Sequence, residues 1–268
     1  MKQLHILIVV IAIAVLSVLA WYETSFEVSK ATTATVSLPP ELADASSFEL
    51  GQYYFNHDDD PALPYDLYLA RRYYNKALRE DPVGNDLTWY QLGRIDFLEG
   101  KFDTALYKFD KQLEYFGDSV PNVHYMIGLT YGYKARQSGD VADWERGAEG
   151  FLRYIEFDPE APWARVDLTW IYFAQGKYDE MLEPLEVGLR FTPNNPWLLN
   201  MYGLALLNTG DTLGARNNFL LAAEEARELT PEDWGNSYPG NHPDSWARGL
   251  AEFQTAIEKN IALTEAGN

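Results

Sequence analysis

The chain of 268 residues contains no cysteine. That excludes a disulfide framework, a thiolate metal site, a cysteine nucleophile and a lipidated cysteine, and it leaves the redox compartment unread. Histidine is scarce: His5, His57, His124 and His242 are scattered, and none pairs with another at metal-ligand spacing. Positive charge is also short, with 21 Lys and Arg against 40 Asp and Glu and a formal net charge of -19. Such a field repels phosphate backbones and anionic headgroups at long range, so nucleic acid is not an expected partner. Nucleophile-elbow, phosphate-loop and zinc motifs are missing. Among so many carboxylates chance pairs are inevitable, and spacing alone nominates no acid–base pair. The chain is expected to be neither an enzyme nor the holder of a cofactor or metal.

What the chain has in quantity is apolar and aromatic: 47% hydrophobic and 15% aromatic residues, enough for one folded region with a full core. The first part of that content is concentrated at the amino terminus. An apolar run from Ile6 to Trp21 is broken only by Ser17, with Lys2 before it and Glu23 and Glu27 after it. Its length falls between a signal-peptide core and a spanning helix. Trp21 and Tyr22 sit where interfacial aromatics would, which favours a single-pass anchor, whereas Val18-Leu19-Ala20 has the small-residue character of a cleavage site. Both readings export the rest of the chain: a membrane-tethered extracytoplasmic domain if the segment stays, a secreted one if it is cut. Residues 1–23 are read as this segment and 24–43 as a flexible tether, rich in Ser, Thr, Ala and Val and closed by Pro39-Pro40.

The second concentration is periodic. In "WYQLGRIDFLEGKFDTALYKFD" Trp89, Leu92 and Gly93 are followed by Ala105 and Phe109. Comparable sets recur: Leu50, Gly51 and Tyr54 with Ala70, Tyr74, Ala77 and Pro82; Ile127, Gly128 and Tyr131 with Phe151, Tyr154 and Pro159; Leu168 and Tyr172 with Met181, Leu185 and Pro193; Tyr202 and Gly203 with Ala215, Phe219 and Ala222. A small residue on one helix lets the next approach closely, and large apolar residues three or four apart form the stripe it covers. Gly100, Gly139, Gly176 and Gly210 fall between the paired segments, where a left-handed residue ends a helix. Asp96 stands where an aromatic is expected, Thr169 and Gly147 at small-residue positions normally Gly and Ala, and Pro184 inside a predicted helix that it should kink.

The spacing between the small residues of paired helices is about 12 in three units and about 19 from Gly51 to Ala70 and from Gly128 to Gly147. The addition of about seven residues is two helical turns and restores the same face. In the first of these units "NHDDDPALPYD" contains two prolines and must be loop; in the other, "KARQSGDVADWERG" is able to extend both helices. Trp246, Leu250, Phe253, Ile257 and Ile261 recur at helical spacing with Arg248, Glu252, Glu258 and Lys259 off the stripe, as a polar-faced terminal helix requires.

The pattern W-x2-L-G-x2-Y, then A-x3-F, then P, resembles the tetratricopeptide repeat family throughout. The resemblance implies an all-α fold: a right-handed α-α superhelix of about five helix-turn-helix units over residues 44–230. A connector loop over 231–243, a capping helix over 244–263 and a tail over 264–268 follow. It also implies a ligand groove along the first helices. The groove positions are Phe48, Gln52 and Phe55 in the first unit and Tyr90, Arg94 and Phe97 in the second. Asn122, Tyr125, Leu129 and Tyr133 follow in the third, then Trp163, Val166, Trp170 and Phe173 in the fourth. The fifth supplies Trp197, Asn200, Leu204 and Asn208. Arg94 is the only cation among them, and the Lys and Asn clamp by which some relatives hold a terminal carboxylate is not reproduced. Aromatics with Asn and Gln suit an extended peptide or a helix of a partner protein, or alternatively the planar faces of an envelope glycan; core packing is the third use of such residues.

Two local clusters complete the reading. Asp58 and Asp60 in "NHDDDP" are able to meet a divalent cation, but without the Gly and distal Glu of a calcium loop a solvated loop is expected. In "WGNSYPGNHP" Trp234 is expected to pack on the last repeat rather than line a ligand loop.

Overall fold

The computed structural model describes residues 40–55, 64–83, 85–237 and 243–265. The apolar run, residues 24–39 of the tether, and the Asp58 and Asp60 pair lie outside them. Pro40–Leu42 form a single 3-10 turn. The remaining described residues form an α solenoid without strands. Its paired helices are α1 (Ser47–Phe55) and α2 (Leu67–Glu80), α3 (Thr88–Leu98) and α4 (Phe102–Phe116), and α5 (Asn122–Ser138) and α6 (Val141–Phe157). The fourth pair is α7 (Pro162–Ala174) and α8 (Leu182–Phe191), and the fifth is α9 (Pro196–Thr209) and α10 (Thr212–Arg227). A short α11 (Pro231–Ser237) and α12 (Trp246–Glu265) close the array.

The helices begin and end where side chains satisfy their orphan backbone groups. Asp66, Asp140, Asn195 and Asp211 each cap a helix by accepting a backbone N–H from its first turn. Ser46 and Glu49 exchange hydrogen bonds in a capping box. Gly100, Gly139, Gly176 and Gly210 all have positive φ, at 70°, 73°, 71° and 101°, and turn the chain between paired helices. Gln112 on α4 ties its own pair together: its Oε1 accepts the Tyr90 N–H at 3.0 Å and its Nε2 donates to the Asp86 carbonyl at 2.5 Å, at the start of α3.

Within a pair, glycine and ring interlock. A Cβ on Gly51 would lie 2.5 Å from Tyr74, and methyls on Gly93, Gly128 and Gly203 would likewise enter the rings of Phe109, Phe151 and Phe219. The fourth unit trades volume across the same register, with buried Thr169 in place of the glycine and buried Leu185 in place of the ring. The third unit packs closest: a Cβ on Gly150 would meet the Gly128 nitrogen at 2.6 Å and the His124 carbonyl at 2.9 Å, so backbone faces backbone. Gly147 belongs to the same seam, its Cβ position 3.2 Å from the Gly128 oxygen and the Gly132 nitrogen.

The seven-residue addition of the third unit lengthens both helices, to 17 residues each, against 11 and 15 in α3 and α4. Asp96 is accounted for as well. Its buried carboxylate receives Arg71 from α2 at 2.5 Å and Lys108 from α4, and Arg71 also reaches Glu99 at 2.6 Å. An ion triad thus occupies the place of an aromatic stack.

Two expectations are corrected. Pro184 does not kink the middle of a helix. Asp179–Met181 form a 3-10 turn and α8 starts only at Leu182, which puts the proline in the first turn, where its missing N–H costs no helical bond. Residues 231–243 are not all loop, because α11 forms over Pro231–Ser237: Thr230 and Asp233 make a reciprocal capping box and Pro231 stands at the first helical position. Buried Trp234 packs with Trp246 and Leu250 of α12 and with Trp197 of the fifth unit.

Successive first helices touch, α3 with α5, α5 with α7 and α7 with α9, while among the described residues second helices make no comparable contact with one another. The first helices are therefore the inner, crowded layer of the curve. α12 packs on α10 and more lightly on α9, the place a further first helix would take.

Candidate functional site

The inner layer carries the residues read as a groove, and the structure divides them. Phe55, Tyr90, Phe173, Asn200 and Leu204 are buried, at 9% exposure or less, and serve the core. Phe48 leans on Tyr74, with centroids 5.7 Å apart. Arg94 lies with its guanidinium 4.8 Å from the Phe55 ring and 5.8 Å from Tyr90, and donates to Gln91 Oε1 at 3.1 Å. Gln52, Leu129 and Val166 are half-buried, and Asn122 is exposed.

In the fifth unit α12 covers the face. Trp197 stacks on Phe253 at 5.1 Å with planes 9° apart, and Asn200 Oδ1 accepts from Asn260 Nδ2 at 2.9 Å in a buried pair. Asn208 turns inward onto the Leu204 carbonyl at 2.8 Å. The open part of the face therefore ends before the fifth unit. The sequence shows the terminal helix but not which face it covers, since a capped last unit has the same first-helix residues as an uncapped one.

Across the second to fourth units the structure brings Phe97, Tyr133 and Trp170 into one aromatic row, with centroids 5.4 Å apart for the first pair and 5.6 Å for the second. Phe102 from α4 backs Phe97 at 6.0 Å, and Trp144 from α6 meets Trp170 edge-on at 5.5 Å. Gly132 makes the row possible: a Cβ there would sit 2.6 Å from the Trp170 ring. Phe97, Tyr133 and Trp170 are all half-buried. Such an array offers apolar contact at small cost in side-chain entropy.

Next to it lies a group that spacing did not nominate. Asp167 is half-buried on α7, and Tyr125 donates its hydroxyl to Asp167 Oδ2 at 2.6 Å. The Tyr125 ring packs on Phe151 and Tyr154, the Trp163 indole faces the Tyr154 hydroxyl, and the Asn122 amide faces that of Tyr90. Desolvation raises the pKa of Tyr90 and of Tyr154 above the usual phenol range. It also pushes the Asp167 carboxyl from 3.8 up to about 6, against the opposing pull of the Tyr125 hydroxyl. The signal that would have found Asp167 is its position four residues after Trp163 and three before Trp170, on the same helix face.

The shift has a sign that is measurable. A carboxyl that keeps its proton to about pH 6 when folded, but loses it near 3.8 when unfolded, contributes stability that is complete below that lower value and gone above the upper one. Asp167→Asn keeps the oxygen that Tyr125 bonds and removes the buried charge. We expect it to stabilise the fold by about 1–2 kcal/mol at pH 7.5 and by almost nothing at pH 4, read from thermal melts at the two pH values.

His124 is occupied otherwise, bonded to Asp118 at 2.6 Å and stacked on Phe157 at 5.7 Å. Among the described residues no group of three His, Asp or Glu is arranged to hold a metal ion. None of the described helices is long and apolar enough to cross a membrane.

Solved structures with this architecture exist. The crystal structure of MamA superposes with a TM-score of 0.54 at 20% identity, over 69% of this chain and 94% of that one. TTC0263, a thermophilic TPR protein of Thermus thermophilus, gives 0.51 at 16%, over 76% and 97%. YrrB, described as a TPR protein with an unusual peptide-binding site, gives 0.52 at 16%, over 68% and 86%. At these identities the likeness is one of fold, and the fold is the tetratricopeptide-repeat solenoid. No family model and no curated protein matches the sequence.

Proposed function

We propose that the chain is a protein-interaction scaffold that receives a segment of a partner protein along the inner face of its first four units. The observation that carries this reading is the aromatic row Phe97, Tyr133 and Trp170, which spans three units and is only half-buried. The peptide-binding site named for YrrB supports it by analogy of fold. The apolar run from Ile6 to Trp21 places this scaffold, in our reading, outside the cytoplasm and tethered to the membrane.

The test is a pull-down of crosslinked partners from native membranes. The full chain should retain a specific protein partner, and Tyr133→Ala with Trp170→Ala should lose it while helicity is kept. A partner retained by the doubly substituted chain would rule out this face, and capture of cell-wall fragments alone would replace the protein partner by a glycan. Release of the chain by alkaline carbonate would reverse the tether.

A further inference from the structure

The inner face between the third and fourth units combines an uncompensated carboxylate with indole rings. Trp163, Asp167 and Trp170 stand at positions i−4, i and i+3 of α7 and so share one face. Trp163 is 44% exposed, and Asp167 and Trp170 are half-buried. Tyr125 holds one carboxylate oxygen at 2.6 Å, and among the described residues no Lys, Arg or His pairs with Asp167. The other polar groups gathered here, the hydroxyls of Tyr90 and Tyr154 and the Asn122 amide, are neutral. Nearby cations are committed elsewhere. Arg94 lies over Phe55 and Tyr90, and Arg165, two residues away on α7, donates to the Pro159 carbonyl at 2.6 Å.

A desolvated carboxylate without a cation is costly unless an occupant supplies one. Aromatic faces beside it add attraction for the same charge, and a net charge of -19 draws basic segments in. We infer that this junction is a specificity site for a cationic side chain of the partner: an arginine or lysine of a basic segment, paired with Asp167 and flanked by Trp163 and Trp170. The inference deepens the scaffold reading and rests on it. It excludes an acidic tail as the ligand of this face, because a second carboxylate there would meet Asp167 in the same poorly solvated space.

The test uses the full chain in a neutral detergent and three labelled 12-residue peptides in one Ala-Leu background, bearing arginine, its neutral isostere citrulline, or glutamate, followed by fluorescence anisotropy. The arginine peptide should bind at least about tenfold more tightly than the citrulline peptide, and the glutamate peptide should not bind. Asp167→Asn should remove that tenfold advantage and leave citrulline binding unchanged. Glu232→Gln, which alters one exposed charge far from α7 in sequence, should change affinity less than about twofold.

Equal weakening by both substitutions would mean a diffuse field, and unchanged arginine binding in Asp167→Asn, or no binding of the arginine peptide, would equally overturn the inference. If Tyr133→Ala abolishes binding of a captured partner while Asp167→Asn does not, the scaffold reading stands and only the cation site fails. If neither substitution matters, both fail.

Discussion

Asp96→Ala is expected to destabilise the second unit by about 3–5 kcal/mol, since it strands Lys108 beside an emptied site and leaves Arg71 only its pair with Glu99. The carboxylate side chain is only 2% exposed, and its partners come from different helices, α2 and α4, so the triad joins the first unit to the second. Removing Asp96 leaves half-buried Lys108 without its counter-charge and Arg71 with Glu99 alone, which is worse than removing the triad. The combination Asp96→Leu, Arg71→Met and Lys108→Met should accordingly recover most of the loss. Hydrogen exchange of the α3 and α4 amides in urea separates this unit from the rest, because arrays of repeats do not unfold as one step. If the single variant proves within about 1 kcal/mol of the parent, the triad is not a structural joint.

Phe109→Ala should cost a comparable amount, about 3–5 kcal/mol, because the ring is fully buried against Gly93. Gly93→Ala fails for the opposite reason. Its new methyl would enter the Phe109 ring, with a cost of about 1–3 kcal/mol that the better helix propensity of alanine offsets in part. In the double variant the methyl points into the cavity the ring has left. The two losses should therefore fall short of their sum by about 1–2 kcal/mol, a coupling that a double-mutant cycle in urea measures directly. Additive losses would show that glycine and ring do not form one packing unit.

That interlock was legible from spacing because it is local: the small residue, the large residue and the turn between them lie within one unit of sequence. The positive-φ glycines were legible for the same reason. Asp96 was visible only as an anomaly, since its explanation sits on Arg71, in the preceding unit, and a pattern written within a unit cannot express a contact between units. Gly150 escaped notice because it falls outside the repeat pattern, although a Cβ there would meet the backbone of the facing helix at 2.6 Å. The inner face was half legible. Helical spacing named the positions, but whether Phe55 or Phe173 points to water depends on neighbouring helices, and burial of Trp197 and Asn200 depends on α12, which follows them by some 50 residues. Asp167 was overlooked because one carboxylate among 40 stands out only when its helix face is read together with Trp163 and Trp170, and its burial only when Tyr125 is seen to hold it.

The lengthened third unit also bears on how such a chain tolerates changes of length over evolutionary time. A helix turns about 100° per residue, so seven added residues bring the sticky stripe back to within about 20° of its old bearing, whereas five would swing it by about 140°. In the third unit the addition is instead shared by two helices across the turn at Gly139, so neither stripe has to absorb the whole rotation. The extra turns of α5 and α6 flank Gly139, the end at which the two helices are joined. The height of the inner wall is then free to vary from unit to unit in steps of a helical turn, while the seams that hold the units together keep one unchanging geometry.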